Sequence, residues 1–367
     1  MSKSSSMKKL ENRQIKTSSN DSQNEDSTLN ETCTKNILNN NQPGIIEVYE
    51  DNFIKELKNL SRFLEEYNYI GMDTEFPGTV YCVQNFTNDF YYKTLKLNVN
   101  SLKLIQLGVT LTNSKGEYPK NYPYHTWQFN LEFDQNKDIS SPSSLNLLIQ
   151  CGIDFNKLKR RGIKHKVFAE YLMISGLVLN PDVHWVSFHG SYDFGYLVKL
   201  LNNLDLPETE NEFINLVKRF FINFYDIRIL VKGQENLQGG LNKLAQQLEV
   251  LREGKIHQAG SDSVVTIDVF FKLQKDGLIN DNTLNKCKNI LYGLGLGADN
   301  QETINYFKNT GVNNYTNNNL NSLYIQNNYT FGNMNMNYYY SQMMMNNPAN
   351  THSPLHKNNS GQIVAYI

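Results

Sequence analysis

An α/β body, a mixed central sheet packed with helices, is the fold class this sequence predicts, and three observations predict it. Strand and helix signals alternate between about residues 45 and 297. The strand signals come first and a long helical half follows them, the order of an α/β or α+β domain. Short β-branched and aromatic runs mark the strands, whereas apolar residues at near-3.6 spacing mark the helices.

Taken in order, a helix is expected over Ile45 to Tyr67, where Ile46, Val48, Phe53, Ile54, Leu57 and Leu60 keep near-helical spacing. Strands follow at Tyr69 to Thr74, Leu102 to Leu111, His125 to Phe133 and His184 to His189. Helices are then expected at Phe168 to Gly176, Tyr192 to Asn202, Glu210 to Phe220, Leu241 to Leu248 and Ser261 to Gln274.

Composition divides the 367 residues into three parts, 1–44, 45–297 and 298–367. Residues 1–44 hold no aromatic side chain and only Leu10, Ile15, Leu29, Ile37 and Leu38 as large aliphatics, too little apolar surface to offset the entropy of ordering. From Ala298 onward Asn fills 19 of 70 positions, with Tyr338 to Tyr340 and Met343 to Met345 among them and four charged side chains in all. Both ends therefore read as disordered tails, the second prion-like in composition, around a single domain.

Bulk charge excludes one class of function. Thirty-five basic and 36 acidic side chains give a formal charge of −1, so the chain lacks the broad cationic surface of a non-specific duplex binder, and any nucleic-acid contact must be local. No apolar run approaches the roughly 20 residues of a membrane span, which predicts a soluble protein with no membrane role. Cys33, Cys82, Cys151 and Cys287 are 49, 69 and 136 residues apart and form neither a CxxC zinc pattern nor a dense disulfide framework. A reducing compartment, cytoplasm or nucleus, fits that usage.

Three short segments carry the chemistry. Asp73-Thr74-Glu75 ends an apolar strand; alternation puts both carboxylates on one face while Thr74 points away. Alone, such a pair is usually a solvated turn. Asp193 falls in the first turn of the helix after His184 to Gly190, a position where an aspartate is more often a cap. His257-Gln258-Ala259-Gly260-Ser261-Asp262 precedes the apolar helix Val264 to Phe271, with Ser261 as candidate cap, Asp262 in the first turn and His257 on the loop before it.

Together they describe a reaction. Hydrolysis of a phosphodiester by two divalent ions needs several carboxylates around ions roughly 4 Å apart, and oxygen ligands without a thiolate cluster favour Mg²⁺ or Mn²⁺ over zinc. A loop imidazole with an unperturbed pKa near 6.5 can take the proton of the attacking water.

These residues resemble the three exonuclease motifs of the DEDDh superfamily, 3′-to-5′ nucleases with a ribonuclease-H-like fold. The longer strings Ile70 to Gly78, Lys103 to Gly108, Phe168 to Glu170, Ser175 to Leu179, Tyr192 to Leu197, Gly239 to Leu241, His257 to Ser263 and Leu291 to Gly295 resemble the Caf/Pop-type deadenylases of the Ccr-Not complex, over about Ile45 to Gly297. The resemblance implies removal of poly(A) from messenger RNA with release of 5′-AMP, and two divalent ions, Mg²⁺ or Mn²⁺. Matched by position, Asp73, Glu75, Asp193 and Asp262 are its metal-binding carboxylates and His257 its general base. It further implies a Not-type scaffold, a Ccr-type nuclease and Tob/BTG-like adaptors as partners, in cytoplasm and nucleus. The alternatives are a largely non-catalytic assembly subunit, or a DEDDh exonuclease acting on another nucleic acid.

Two segments depart from the family pattern. Gly190-Ser191 inverts the usual Ser-Gly, and a serine where the backbone needs positive φ would strain the turn before Asp193. Between Gly78 and Lys103, Val80, Tyr81, Cys82 and Asn85 replace a Gly- and Pro-containing loop. The basic run Lys157 to Lys166 reads as a solvated helix face, with phosphate attraction as its alternative. Phe76 reads as core, with stacking on a base as its alternative.

Overall fold

A computed structural model describes residues 44–81, 83, 89–252, 254–295, 355–357 and 363–365. Strand β1 (Gly44–Val48) leads to helix α1 (Phe53–Ser61), β2 (Tyr69–Glu75), α2 (Phe90–Ser101), β3 (Gln106–Thr112) and β4 (Tyr124–Asn130). Helices α3 (Pro142–Gln150), α4 (Phe155–Arg161) and α5 (His165–Ile174) follow, then β5 (His184–Ser187), α6 (Ser191–Asn202), α7 (Glu210–Phe220) and β6 (Asn223–Asp226). The helical remainder is α8 (Ile227–Leu230), α9 (Leu241–Gln247), α10 (Ala259–Lys275) and α11 (Asp281–Cys287). Strands β7 (Leu355–Lys357) and β8 (Ile363–Ala365) form a separate two-stranded antiparallel sheet. The rest of both tails, including all of residues 1–43, lies outside the described residues.

Six strands form one mixed sheet in the order β1-β4-β3-β2-β5-β6. The pairs β2·β3 and β3·β4 are antiparallel; β1·β4, β2·β5 and β5·β6 are parallel. Alternation along β2 sends Ile70 and Met72 into one apolar layer, which also holds Phe194 and Leu197 of α6. The opposite face meets α10, whose Val265, Ile267 and Phe270 belong to a second cluster. Helices thus cover both faces, and each inner surface is apolar.

Two glycines set how closely α10 lies on the sheet. A Cβ at Gly71 would stand 2.5 Å from the Ser263 carbonyl oxygen, and one at Gly108 only 1.9 Å from that of Ala259. Gly71 shares its face with Asp73 and Glu75, and Gly108 is the β3 partner of Asp73. The helix start therefore rests where side chains would otherwise intervene, directly beside the carboxylate pair.

The expected helix over Ile45 to Tyr67 is corrected. Its first residues form edge strand β1, parallel to β4, and helix begins only at Phe53. Asn52 separates the two: its Oδ1 accepts from Tyr49 N at 2.7 Å and its Nδ2 donates to Glu47 O at 3.1 Å. The β-branched Ile45, Ile46 and Val48 suit a strand once a partner edge is present, a context that spacing along the chain does not register. Strand β3 begins at Gln106 rather than Leu102. Helix α2 fills much of the segment read as loop, burying Tyr92, Leu95 and Val99, and the buried Asn98 amide accepts from Val80 N and Tyr81 N at 2.7 and 2.9 Å. Cys82 and Asn85 lie outside the described residues. Strand β6, four buried residues, was too short for pattern alone.

Candidate active site

The sheet positions the first two acids. Asp73 and Glu75 leave the end of β2 on the face that α10 covers, Glu75 buried and Asp73 partly so. Above them α10 begins at Ala259, two residues earlier than expected, and Ser261 is not its cap. Its first free N–H groups are satisfied from the sheet instead: Ala259 N donates to Gln106 Oε1 at 3.3 Å and Gly260 N to Gln128 Oε1 at 2.9 Å. Gln258 joins this amide cluster, accepting from Gln128 Nε2 at 3.0 Å and donating to Cys151 O at 3.1 Å. The network fixes the first turn, and with it Asp262.

His257 is bound into the same turn. Its backbone is left-handed, φ 56°, and its N–H donates to Asp262 Oδ2 at 3.1 Å. One ligand atom from each of Glu75, His257 and Asp262 lies within 4.8 Å of the others. The two carboxylates at that spacing suit a hard divalent cation, with the imidazole beside them. The described cysteines, Cys151 and Cys287, are buried free thiols that take no part in the cluster.

Asp193 arrives from the other helical layer. It lies in the first turn of α6, and its Oδ1 accepts from Thr74 Oγ1 at 2.6 Å. Thr74 does point away from the acid pair, and that is how it reaches Asp193. Electrostatics register the assembly: burial, then the charges of Asp262, Asp193 and Glu75, raise the Asp73 carboxyl well above its usual range. Burial followed by Asp262 and Asp193 does the same to Glu75. Burial pushes Asp193 up to about 6 against the opposing Thr74 hydrogen bond. His257 is lowered, chiefly by burial, which keeps its ring neutral near pH 7.

Sequence reasoning missed Arg252. Its Nη1 lies 2.5 Å from Asp262 Oδ1 and 3.1 Å from Ser261 Oγ, while Nη2 bonds Asn242 Oδ1 of α9. The guanidinium lowers what the other charges raise at Asp73 and Glu75. An arginine ten residues before an aspartate gives no periodic signal.

Asp226 was missed for the same reason. Fully buried at the end of β6, its carboxylate accepts from the N–H groups of His189, Gly190, Arg228 and Tyr292 at 2.9, 3.2, 3.0 and 3.0 Å. It thereby holds the turn that leads into α6. The strain expected at Ser191 is absent: positive φ falls on His189, at 59°, and Gly190 has φ −76°. Ser191 opens the helix and its Oγ donates to Tyr292 O at 2.6 Å. Phe76 stacks on Tyr192 at 5.4 Å and packs on Tyr196 at 5.1 Å, partly buried against the core.

Comparison with known proteins places this geometry. Residues 48–171 match the model of the CAF1 family ribonuclease, a span that includes Asp73 and Glu75 but ends before Asp193. Two relatives extend the match. "Probable CCR4-associated factor 1 homolog 7" of Arabidopsis thaliana is 48% identical over 260 residues, 69% of this chain and 94% of that protein. "Poly(A) ribonuclease pop2" of Schizosaccharomyces pombe is 40% identical over 257 residues, 68% of this chain and 75% of that protein.

Among solved structures, S. pombe Pop2p in its Mg²⁺- and Mn²⁺-bound form is similar with a TM-score of 0.65 at 38% identity, over 68% of this chain and all of that one. Yeast CAF1 co-crystallised with the NOT1 MIF4G domain gives 0.59 at 31%, over 70% of this chain and 99% of that one. At 48% identity over 94% of the plant relative, the chain belongs to the CAF1 family of ribonucleases.

Proposed function

We propose that this chain is a divalent-metal-dependent 3′-to-5′ exoribonuclease that shortens poly(A) and releases 5′-AMP, acting as a catalytic subunit of a Ccr-Not-type assembly. The observation that carries the reading is the meeting of Glu75, His257 and Asp262 within 4.8 Å, beside Asp73 and the Thr74-held Asp193. A poly(A) substrate is supported by the fission-yeast relative, a poly(A) ribonuclease by name, and metal dependence by the ions bound in its structure.

Asp73, Glu75, Asp193 and Asp262 would hold two ions, Mg²⁺ or Mn²⁺. When bound, such ions supply Lewis-acid activation of water and stabilise the leaving oxygen. The residues supply the rest. Raised carboxyl pKa values show a cluster whose mutual repulsion a cation would relieve. His257, neutral because it is buried, takes the proton of the attacking water on a ring nitrogen. Water oxygen bonds to phosphorus as the bond to the 3′ oxygen breaks; that oxygen takes a proton from solvent, to which His257 returns the one it accepted, leaving 5′-AMP and a tail shorter by one nucleotide.

We assign the partners on the same footing: a Not-type scaffold, supported by the yeast CAF1 complex with the NOT1 MIF4G domain, and by resemblance a Ccr-type nuclease and Tob/BTG-like adaptors. Cytoplasm and nucleus are the compartments proposed. The test is incubation of an A-tailed RNA with the protein in Mg²⁺. Release of AMP is expected, with Asp73→Ala slowing it by orders of magnitude and His257→Ala by about 10²- to 10⁴-fold. Undiminished turnover by Asp73→Ala would refute the assignment.

A further inference from the structure

The basic run Lys157 to Lys166 divides into two unlike halves. On α4, Lys157 pairs with Glu47 at 3.0 Å, Lys159 with Asp134 at 3.0 Å and Arg161 with Asp51 at 2.8 Å, so that face is neutralised. Lys164 and Lys166, at the start of α5, instead line a cleft of about 400 Å³ shared with Lys103, Lys199, Glu132 and Tyr196. Four lysines and one glutamate thus line it. Lys103 is paired with Asp138 at 2.7 Å, but Lys164 comes no closer than 3.9 Å to Glu50, and Lys166 is exposed with no acidic partner among the described residues. Lys199 Nζ is fixed by the carbonyls of Val99 and Asn100 at 2.7 and 2.8 Å.

A second observation is independent of charge. Tyr196 lines this cleft at 1% exposure, and its buried hydroxyl has no hydrogen-bond partner among the described residues. A buried donor without an acceptor is unfavourable, so a ligand oxygen there would satisfy it.

The position relates the cleft to the carboxylates. Tyr196 lies one helical turn past Asp193 and packs on Phe76, the residue after Glu75; Ile105, next to Leu104 of the cleft lining, donates its N–H to Glu75 O at 2.8 Å. From Asp193 to Lys199 is about 9 Å along the α6 axis. We propose that the cleft binds a backbone phosphate of the RNA strand whose 3′ end lies at the carboxylates, Lys164 and Lys166 supplying charge and the Tyr196 hydroxyl donating to a phosphate oxygen. This rests on the ribonuclease reading. A strand continuous with the scissile phosphate is favoured over an acidic protein segment because a single helix carries both Asp193 and the floor of the cleft.

The experiment compares the full chain with its Lys164→Gln/Lys166→Gln variant in Mg²⁺, using a 20-nucleotide oligo(A) and the dinucleotide ApA over a range of salt. For the oligomer, KM is expected to rise about tenfold with kcat retained, and the slope of log KM against log salt to fall by about 0.7, the value for one phosphate no longer neutralised. ApA, too short to reach the cleft, is expected to be hydrolysed equally by both proteins. Tyr196→Phe is expected to raise the oligomer KM while the salt slope stays unchanged. If wild type shortens the oligomer and the double variant has an unchanged KM and slope, the inference is overturned while the ribonuclease reading stands, and the cleft is left to an acidic partner segment. If wild type cleaves neither substrate, the ribonuclease reading fails and the inference with it.

Discussion

Arg252 and Asp193 show how single residues manage the repulsion in this site. Arg252 gives Asp262 a cation within the protein itself, and a bound divalent ion would offer the same carboxylate another. Arg252→Ala is therefore expected to destabilise the protein in EDTA by about 1 to 3 kcal/mol, and by clearly less in Mg²⁺. Thermal unfolding under the two conditions checks this; equal losses would reduce Arg252 to packing. Asp193 has a folded-state pKa near 6 against an ordinary 3.8. Its ionisation opposes folding fully above the higher value, and that penalty fades as pH falls through 6 toward 3.8. Asp193→Asn, which can still accept from Thr74, is expected to stabilise the metal-free protein at pH 8 by on the order of 2 to 3 kcal/mol and to lose the gain by about pH 4. Chemical denaturation at the two pH values, wild type against variant, isolates this group from the histidines that titrate over the same range.

At the scale of elements, the contact between α10 and the β2·β3 pair decides the site. Asp262 and His257 reach Glu75 because Gly71 and Gly108 let the helix start touch the sheet backbone. Gly108→Ala would place a methyl 1.9 Å from the Ala259 carbonyl oxygen, backbone that no rotamer change can move aside. A loss of about 1 to 3 kcal/mol in stability is expected, together with weaker Mn²⁺ binding by titration calorimetry, since the helix must lift away from the acid pair. Wild-type metal affinity in a destabilised variant would separate the fold from the site. The Gln106 and Gln128 amides belong to this scale too: side chains from β3 and β4 cap one helix, and Gln258 braces Gln128.

In the whole molecule, all six strands of the main sheet and all the elements that carry the five site residues lie between Gly44 and Gly295. The buried Asp226 carboxylate ties the end of β6 to the turn before α6 and to Tyr292, so the stretch just before the second tail is part of the frame of the site. A chain cut to residues 44–295 is expected to unfold cooperatively and keep its turnover of A-tailed RNA. Cutting before Leu291 is expected to lower both, because His189 and Ser191 then lose their Tyr292 contacts and Asp226 loses one of its four N–H donors. Calorimetry and the deadenylation assay on the two truncations test this.

The sequence by itself determined the carboxylate pair on alternating positions of β2, the placing of Asp193 and Asp262 in helix first turns, and the family these strings resemble, because such features depend on residues near one another in the chain. It also supplied α5, α6, α7, α9 and α10, whose periodic apolar faces are local, but not the short α8 and α11. Only the tertiary structure decided that Ile45 to Val48 are a strand, since an edge strand needs a partner, here β4, some 80 residues away. It also decided that Thr74 holds Asp193, that Arg252 neutralises Asp262 and that Asp226 collects four N–H groups. Those roles belong to pairs distant in sequence, brought together by burial and hydrogen-bond satisfaction that no local pattern encodes.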